Sequence, residues 1–454
     1  MKANHLILIM LFYLVNVTAC IDQNNRVIDH HTLVPVGLRG KCGFVDLQTG
    51  EIAIKLQFDD VDIFADNGLA LVYLDGKGGY IDCAGNMVIE PQFKSAGRFA
   101  KNGLALVELN DQWGFIDSVG NYVIEPKFDY ARSFAQNGMA RVKLNDKWGF
   151  IDSIGNIVVE PKYEDCEDFV NGYARVELND KWGFIDSIGN IVVEPKYEDC
   201  EDFVNGYARV ELNDKWGFID SIGNIVIEPK FNRTFDFDSN GLAEVEFNYE
   251  YGLINAKGEI ILEPQSESIF FSKHGFALIK IDEKYGYINK KGKIIIEPQF
   301  DYARNFSDVG LACVRLDGKF GYIDTTGNVV IEPQFADATD FSNGLARVVL
   351  DSCFLREYGY VNTKGKMIIE PQFSEASDFL SNGLAVVWSK GYYGCIDKTG
   401  KMVIDPIYAD ISIIDNKILV GRSSIFRFFG LDWGIVDMQG NIIVKPKFDW
   451  IIHR

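Results

Sequence analysis

Residues 147–180 and 181–214 are the same 34-residue string, KWGFIDSIGNIVVEPKYEDCEDFVNGYARVELND, written twice without a change. Such repetition restricts the fold to architectures in which one small unit packs against a copy of itself. Looser copies fill most of the chain. They are traced by an aromatic-Gly step or its degenerate form, with glycines at Gly43, Gly79, Gly114, Gly149, Gly183, Gly217, Gly252, Gly286, Gly321, Gly359, Gly394 and Gly434. Spacings are 34 to 36 residues except before Gly359 and Gly434, where the first hairpin of the unit is lengthened. The least typical steps, Cys42-Gly43 and Gly78-Gly79, come first, as terminal caps do.

The unit beginning at Met139 shows what each copy folds into. Ala140, Val142 and Leu144 alternate with Arg141 and Lys143, the period-two pattern of a half-buried strand. Asn145-Asp146 then forms a two-residue hairpin turn of the kind that tolerates positive φ. Trp148, Phe150 and Asp152 point one way along the next strand, and Gly149 and Ile151 the other. Gly149 inside a strand implies that a ring or a neighbouring backbone packs on its bare Cα. Asp152-Ser153-Ile154-Gly155 is a second turn, with an Asx side chain accepting from downstream backbone and a left-handed glycine. The third strand, Ile157 to Tyr163, contains Pro161, which has no N–H and so requires a sheet edge or a strand end. Phe169 anchors the connector under the core. Each unit therefore reads as a three-stranded antiparallel meander plus a connector, and connectors such as 129–134 have room for a single helical or 3₁₀ turn.

The Lys-Trp-Gly-Phe-Ile-Asp run, with Gly-Asn, Glu-Pro-Lys and Asn-Gly-x-Ala behind it, resembles the bacterial WG-repeat (KWG-like) family across roughly residues 32 to 450. That resemblance implies an architecture and an exported or surface-associated setting; it implies no reaction. The expected fold is an all-β tandem array of about twelve units of roughly 35 residues. Its favoured form is an open superhelix or solenoid, because an open array accepts a duplicated unit without re-closing. One or two β-propeller-like rings, with a fourth strand borrowed from the next unit, are the alternative. Glu90, Glu125, Glu160, Glu194, Glu228, Glu263, Glu297, Glu332 and Glu370 each precede a proline. Stacked at about 4.8 Å they would repel, so units are expected a whole sheet apart, about 10 Å.

The first residues carry a different signal. Lys2, an apolar run from Leu6 to Val15, and Val17-Thr18-Ala19-Cys20 form a secretory signal too short to span a bilayer. Its end resembles the lipobox of bacterial lipoproteins, which implies cleavage before Cys20 and lipid attachment on Cys20. Residues 1–19 are then signal peptide, 20–31 the lipidated cysteine with a polar tether, and 32–454 the array. Ile21 in the second mature position implies sorting to the outer membrane in a Gram-negative cell.

Chemistry is sparse. The net charge of −20 argues against nucleic acid, whose phosphates demand clustered Lys and Arg. Cys42, Cys83, Cys166, Cys200, Cys313, Cys353 and Cys395 form no disulfide framework and read as small buried residues. Among 5 histidines only His30 and His31 are neighbours, in the tail. The turn Asp and Asn residues lack Ca²⁺-loop spacing, the Glu-Pro stripe reads as a solvated face, and the Trp and Tyr positions read as core rather than as sugar platforms. Distinctive residues recur in every unit, whereas a catalytic site is normally unique. The expectation is a non-enzymatic scaffold with no cofactor and no metal, anchored to the membrane by its N-terminal lipid and presenting an extended surface to a protein or glycan. The alternatives are an envelope hydrolase using the irregular stretches Phe354 to Glu357 and Ser423 to Phe429, and a purely structural spacer.

Overall fold

The computed structural model describes residues 20–21, 27–271, 275–289, 291–350, 356–414, 417–423 and 430–451. It contains twelve four-stranded antiparallel sheets, here called blades 1 to 12 in chain order, and one two-stranded pair. In blade 5 the lead strand is Asp165–Cys166, the first hairpin strand Tyr173–Glu177, the second Trp182–Asp186, and the closing strand Ile191–Tyr197. These pair in the order in which they occur in the chain.

The hairpins follow the residue patterns. Asn145 and Asp146 take φ of 52° and 60°, and Gly155 takes 87°. Asp152 Oδ1 accepts from the N–H groups of Ile154 at 3.1 Å and Asn156 at 2.9 Å, and its Oδ2 accepts from Asn156 Nδ2 at 2.8 Å. Trp148 pairs with Tyr163 and Phe150 with Val159, so the closing strand bulges around Pro161 at the sheet edge, where a missing N–H is harmless. Gly149 faces that bulge. A Cβ there would stand 2.4 Å from the Val159 carbonyl oxygen and 2.7 Å from Pro161 N, so neighbouring backbone occupies the bare Cα.

Two expectations are corrected. The connector is neither helical nor 3₁₀ at its start: Tyr130–Ala131 is a lead strand, and it makes each sheet four-stranded. The array is also not an open superhelix. The chain's last described strand, Trp450–Ile451, pairs with Leu33–Leu38 of blade 1 (Val36 opposite Ile451, Gly37 opposite Trp450). Asp449 N donates to the Gly37 carbonyl at 2.8 Å, and its carboxylate accepts from Arg39 N at 2.8 Å. Every blade takes its lead strand from the end of another repeat, and the first takes it from the last; this is the propeller-like closure. The duplication argument for openness counted the difficulty of re-closing but not the borrowed strand that makes closure possible.

The chain divides into two compact units, one of residues 1–128, 432–435 and 442–454, the other of 129–431 and 436–441. In the first, Phe44, Ile54 and Phe58 of blade 1 pack on Val61, Phe64, Ala70 and Ile81 of blade 2, with Trp450 against them. In the second, Phe150, Val159 and Tyr163 of blade 4 pack on Cys166, Ala174, Val176 and Ile185 of blade 5, and the next pair repeats this. The core is thus a series of nearest-neighbour interfaces. The glutamates before proline are exposed at the closing edges, one per sheet, which relieves the repulsion of a tight ladder.

Candidate interaction surface

The junction between blades is polar at one end, and sequence reasoning missed how. Arg141 alternates with core residues and reads as solvent-facing, yet it is buried. Its guanidinium donates to the Cys166 carbonyl of the next blade and pairs with Glu167 at 3.0 Å and Asp168 at 2.9 Å. Arg175 repeats this with the Cys200 carbonyl at 2.7 Å and Asp202 at 2.9 Å. Arg209 does so with the Thr234 carbonyl at 2.9 Å and Asp236 at 2.7 Å. Where the second hairpin strand carries Tyr instead of Phe, a phenol reaches the same connector: Tyr80 to the Gly97 carbonyl, Tyr287 to Arg304, and Tyr322 to Thr339, each at 2.7 Å. A tyrosine directly after the glycine of the aromatic-Gly step, or an arginine eight residues before that glycine, is the signal that would have found these staples.

The same arginines cover the tryptophans. Arg141 lies 5.7 Å from the Trp148 ring centroid, Arg175 5.9 Å from Trp182, and Arg209 5.8 Å from Trp216. Those rings are half-buried, Trp148 and Trp182 packing against the core clusters, and the cation occupies a face that a sugar would need. Phe169 behaves as expected, 4.7 Å from the Phe150 ring.

The recurring acids serve the turns. Burial would raise the Asp152 carboxyl, but the bonds from Asn156, Ile154 and Gly155 outweigh it and hold the group below the usual range. In Asp324 the Thr326 hydroxyl leads the same effect and the value falls to about 2. Cys42, Cys166, Cys200, Cys313 and Cys395 are free and buried. Burial pushes the thiols of Cys166, Cys313 and Cys395 up to about 12, too high to supply a thiolate. Cys83 departs from the expectation of uniformly free thiols, being disulfide-bonded.

Cys20 lies in a two-residue strand, opposite Ile28, with Ile21 opposite Val27, so the region expected to be a plain tether carries local structure. Asp29, His30 and His31 come together, with ligand-type atoms within 4.8 Å. There the Asp29 carboxylate caps the short 3₁₀ turn His30–Thr32 by accepting from His31 N at 3.0 Å. Of the irregular stretches, 351–355 and 424–429 lie outside the described residues.

The tip of the second turn, between its Asx and its glycine, varies from blade to blade. The family model described as WG containing repeat matches residues 43–77, 79–113, 113–148, 148–182, 182–216, 216–250, 251–285, 285–320, 320–352, 358–387, 393–420 and 433–453. The chain belongs to the WG-repeat family. No curated protein matches this WG-repeat chain. Among solved structures, one described as the eukaryotic initiation factor is similar at 8% identity and a TM-score of 0.28, over 82% of this chain and 99% of that one. The extracellular domain of a putative one-component system from B. thetaiotaomicron is similar at 10% identity and a TM-score of 0.24, over 91% of this chain and 70% of that one.

In the WG-repeat blades 4, 5 and 6 the tip residues Ile154, Ile188 and Ile222 are 70%, 70% and 71% exposed. Ile157, Ile191 and Ile225, which begin the adjoining closing strands, are exposed beside them. In later blades the turn carries exposed lysines instead: Lys257, Lys291, Lys293, Lys364, Lys366, Lys398 and Lys401. The turns sit side by side. The bare Cα of Gly189 faces Val159 of the preceding blade, Gly223 faces Val193, Gly258 faces Ile227, Gly292 faces Ile261, Gly327 faces Ile296, Gly365 faces Ile331 and Gly400 faces Ile369.

Proposed function

We propose that this WG-repeat protein is a non-enzymatic scaffold of the bacterial cell envelope, held to the membrane through lipid on Cys20 and presenting its turn tips to a protein or glycan partner. The reading is carried by one observation. The recurring polar groups that would be candidates for chemistry are engaged in holding the fold, the aspartates in turns and the arginines at blade junctions, while the second-turn tips are exposed and change from blade to blade. Variable loops on a rigid frame are where binding specificity ordinarily resides. The acyl anchor is read from the Thr18-Ala19-Cys20 sequence, and several acyl chains give stable attachment where one does not.

Two measurements test it. Mass spectrometry of the mature N-terminus should find cleavage before Cys20 and acyl mass on that residue, lost in Cys20→Ser; an unmodified N-terminus elsewhere ends the anchor reading. Hydrolase screening of the mature protein should find no turnover. Turnover that disappears on deleting residues 415–454 would instead place an enzyme in the irregular C-terminal repeats.

A further inference from the structure

The two ends of the blades in the unit spanning 129–431 carry their charges in different arrangements. At the first-hairpin end stand Asp146, Asp180, Asp214, Asp282, Glu283 and Asp317 in the turns. The residues that follow the closing strands add Glu164, Glu198, Glu267 and Asp301 at the same end. Glu164 and Glu198 accept from the turn N–H groups of Asp180 and Asp214 at 3.2 Å, and lysines of the same end pair with these acids, Lys147 with Glu164 at 3.3 Å and Lys284 with Asp301 at 2.6 Å. The second-turn end keeps Asp152, Asp186 and Asp220 in the turns of blades 4 to 6 and carries its excess of cations on the later blades. Its tips are aliphatic on blades 4 to 6 and cationic on blades 7, 8, 10 and 11. In blades 7, 8 and 10 the turn-forming aspartate is replaced by neutral Asn255, Asn289 and Asn362, which make the same bonds to backbone. The turn geometry is kept and the negative charge removed, beside added lysines, in a chain whose net charge is −20.

Folding does not require isoleucine at the tips. Thr326 and Thr399 fill that place in blades 9 and 11, with the Asx bonding intact. The exposed aliphatic surface of three adjacent blades is made by Ile154, Ile188 and Ile222 at the tips with Ile157, Ile191 and Ile225 beside them. It suits a soft apolar medium in which each tip can bury independently, while lysines in equivalent positions meet anionic groups at its surface.

We propose that the second-turn end of blades 4 to 11 docks directly on an anionic lipid surface, with Ile154, Ile188 and Ile222 entering the acyl boundary and Lys291, Lys293, Lys364 and Lys366 meeting lipid phosphates. The first-hairpin end then faces away, available to a partner. The inference takes its membrane setting from the anchored-scaffold reading, but it concerns contacts that need no acyl chain.

The test uses the chain from Ile21 onward, which has no acylation site and keeps all twelve blades. It should float with vesicles of phosphatidylcholine and phosphatidylglycerol in equal parts, and not with phosphatidylcholine alone. Changing the four lysines to Gln should weaken binding on the order of a thousandfold and abolish its salt dependence. Changing the three isoleucines to Thr should weaken it by roughly tenfold or more, with melting unchanged because other blades carry Thr there. Asp146→Asn, Asp180→Asn and Asp214→Asn together, at the far end, should leave vesicle binding intact. Failure to float, equal binding by the tip variants, or self-association through the isoleucine tips without lipid would each overturn the proposal. None of these results touches lipid attachment at Cys20, which is read separately by mass spectrometry.

Discussion

The junction of the chain ends makes a quantitative test of closure. Trp450 is half-buried against blade 1, and a Cβ on Gly37 would come within 2.3 Å of its indole Cε2. Removing a fully buried Trp side chain costs about 3–5 kcal/mol, so Trp450→Ala should cost about 2–3 kcal/mol. Gly37→Ala forces a rigid ring aside and should cost about 1–3 kcal/mol. In the Trp450→Ala background the ring is gone, Gly37 holds ordinary strand φ, and the added methyl should be neutral or stabilising by about 0.5 kcal/mol. The two substitutions are therefore non-additive, with a coupling of about 1–3.5 kcal/mol. Urea unfolding of the four proteins, compared at constant slope, measures this. Tyr130→Ala is the control: it occupies the same lead-strand position in blade 4, where the ring is exposed and meets Trp148 edge-on at 5.8 Å, and its loss should cost well under 1 kcal/mol. Additive effects, or a Trp450→Ala cost no larger than that of Tyr130→Ala, would refute the closure.

Gly183→Ala would place a Cβ 2.4 Å from the Val193 carbonyl oxygen and should destabilise by about 1–3 kcal/mol; Gly172→Ala meets no atom but holds φ at 91° and should cost about 1 kcal/mol, a difference thermal melts can read. Asp152, Asp186, Asp220 and Asp324 all hold their protons less tightly than free aspartate. Their contribution is therefore complete above about pH 4 and lost as pH falls toward about 2, and urea midpoints taken from pH 6 downward should drop across that window and drop less in the Asp→Asn variants. Burial pushes the Glu244 carboxyl up to about 7, with Arg233 opposing it; a folded value raised above the unfolded one means stability declines from about pH 4 to pH 7, so Glu244→Gln should melt higher than the parent at pH 8 and equally at pH 4. Deleting residues 147–180 leaves every neighbouring sequence at the new seam unchanged, so only closure is altered: melting should fall and the Gly37–Trp450 coupling should vanish, whereas an unchanged melt with coupling retained would contradict a closed succession.

Much of the blade was legible because its determinants are local. Asn145-Asp146, Asp152 with Gly155, Gly149 and Pro161 each impose a conformation through their own backbone chemistry. What escaped was non-local or too short to carry a period. The lead strand Asp165–Cys166 has two residues, and its pairing with Val176 and Glu177 leaves no alternation to detect. Arg141 sits at an outward-looking step of a period-two pattern, and only the next blade's connector shows that its guanidinium is enclosed. The closing contact joins residues 410 apart, as in the bond from Arg39 to Asp449, and nothing in the spacing of repeats distinguishes an array that ends from one that meets its own beginning.

Repetition separates the two kinds of information in this chain. Positions that recur, such as the aromatic-Gly step, the Asx of the second turn and the Glu-Pro bulge, are those where one backbone solution must be met twelve times over, and their chemistry is consumed in meeting it. The second-turn tip is released from that demand by the bonds beneath it. Asp152 closes the turn below Ile154, Asn362 closes it below Lys364, and Asp397 closes it below Thr399, with the same pattern in each case. Residues as unlike as isoleucine, lysine and threonine are accepted because the residue two beyond the Asx is exposed at each of these tips. A change at the tip therefore alters what the surface meets without altering the fold, and a change one or two residues away does the reverse. In this WG-repeat protein, binding and stability should be separable by substitution at neighbouring positions of the same turn.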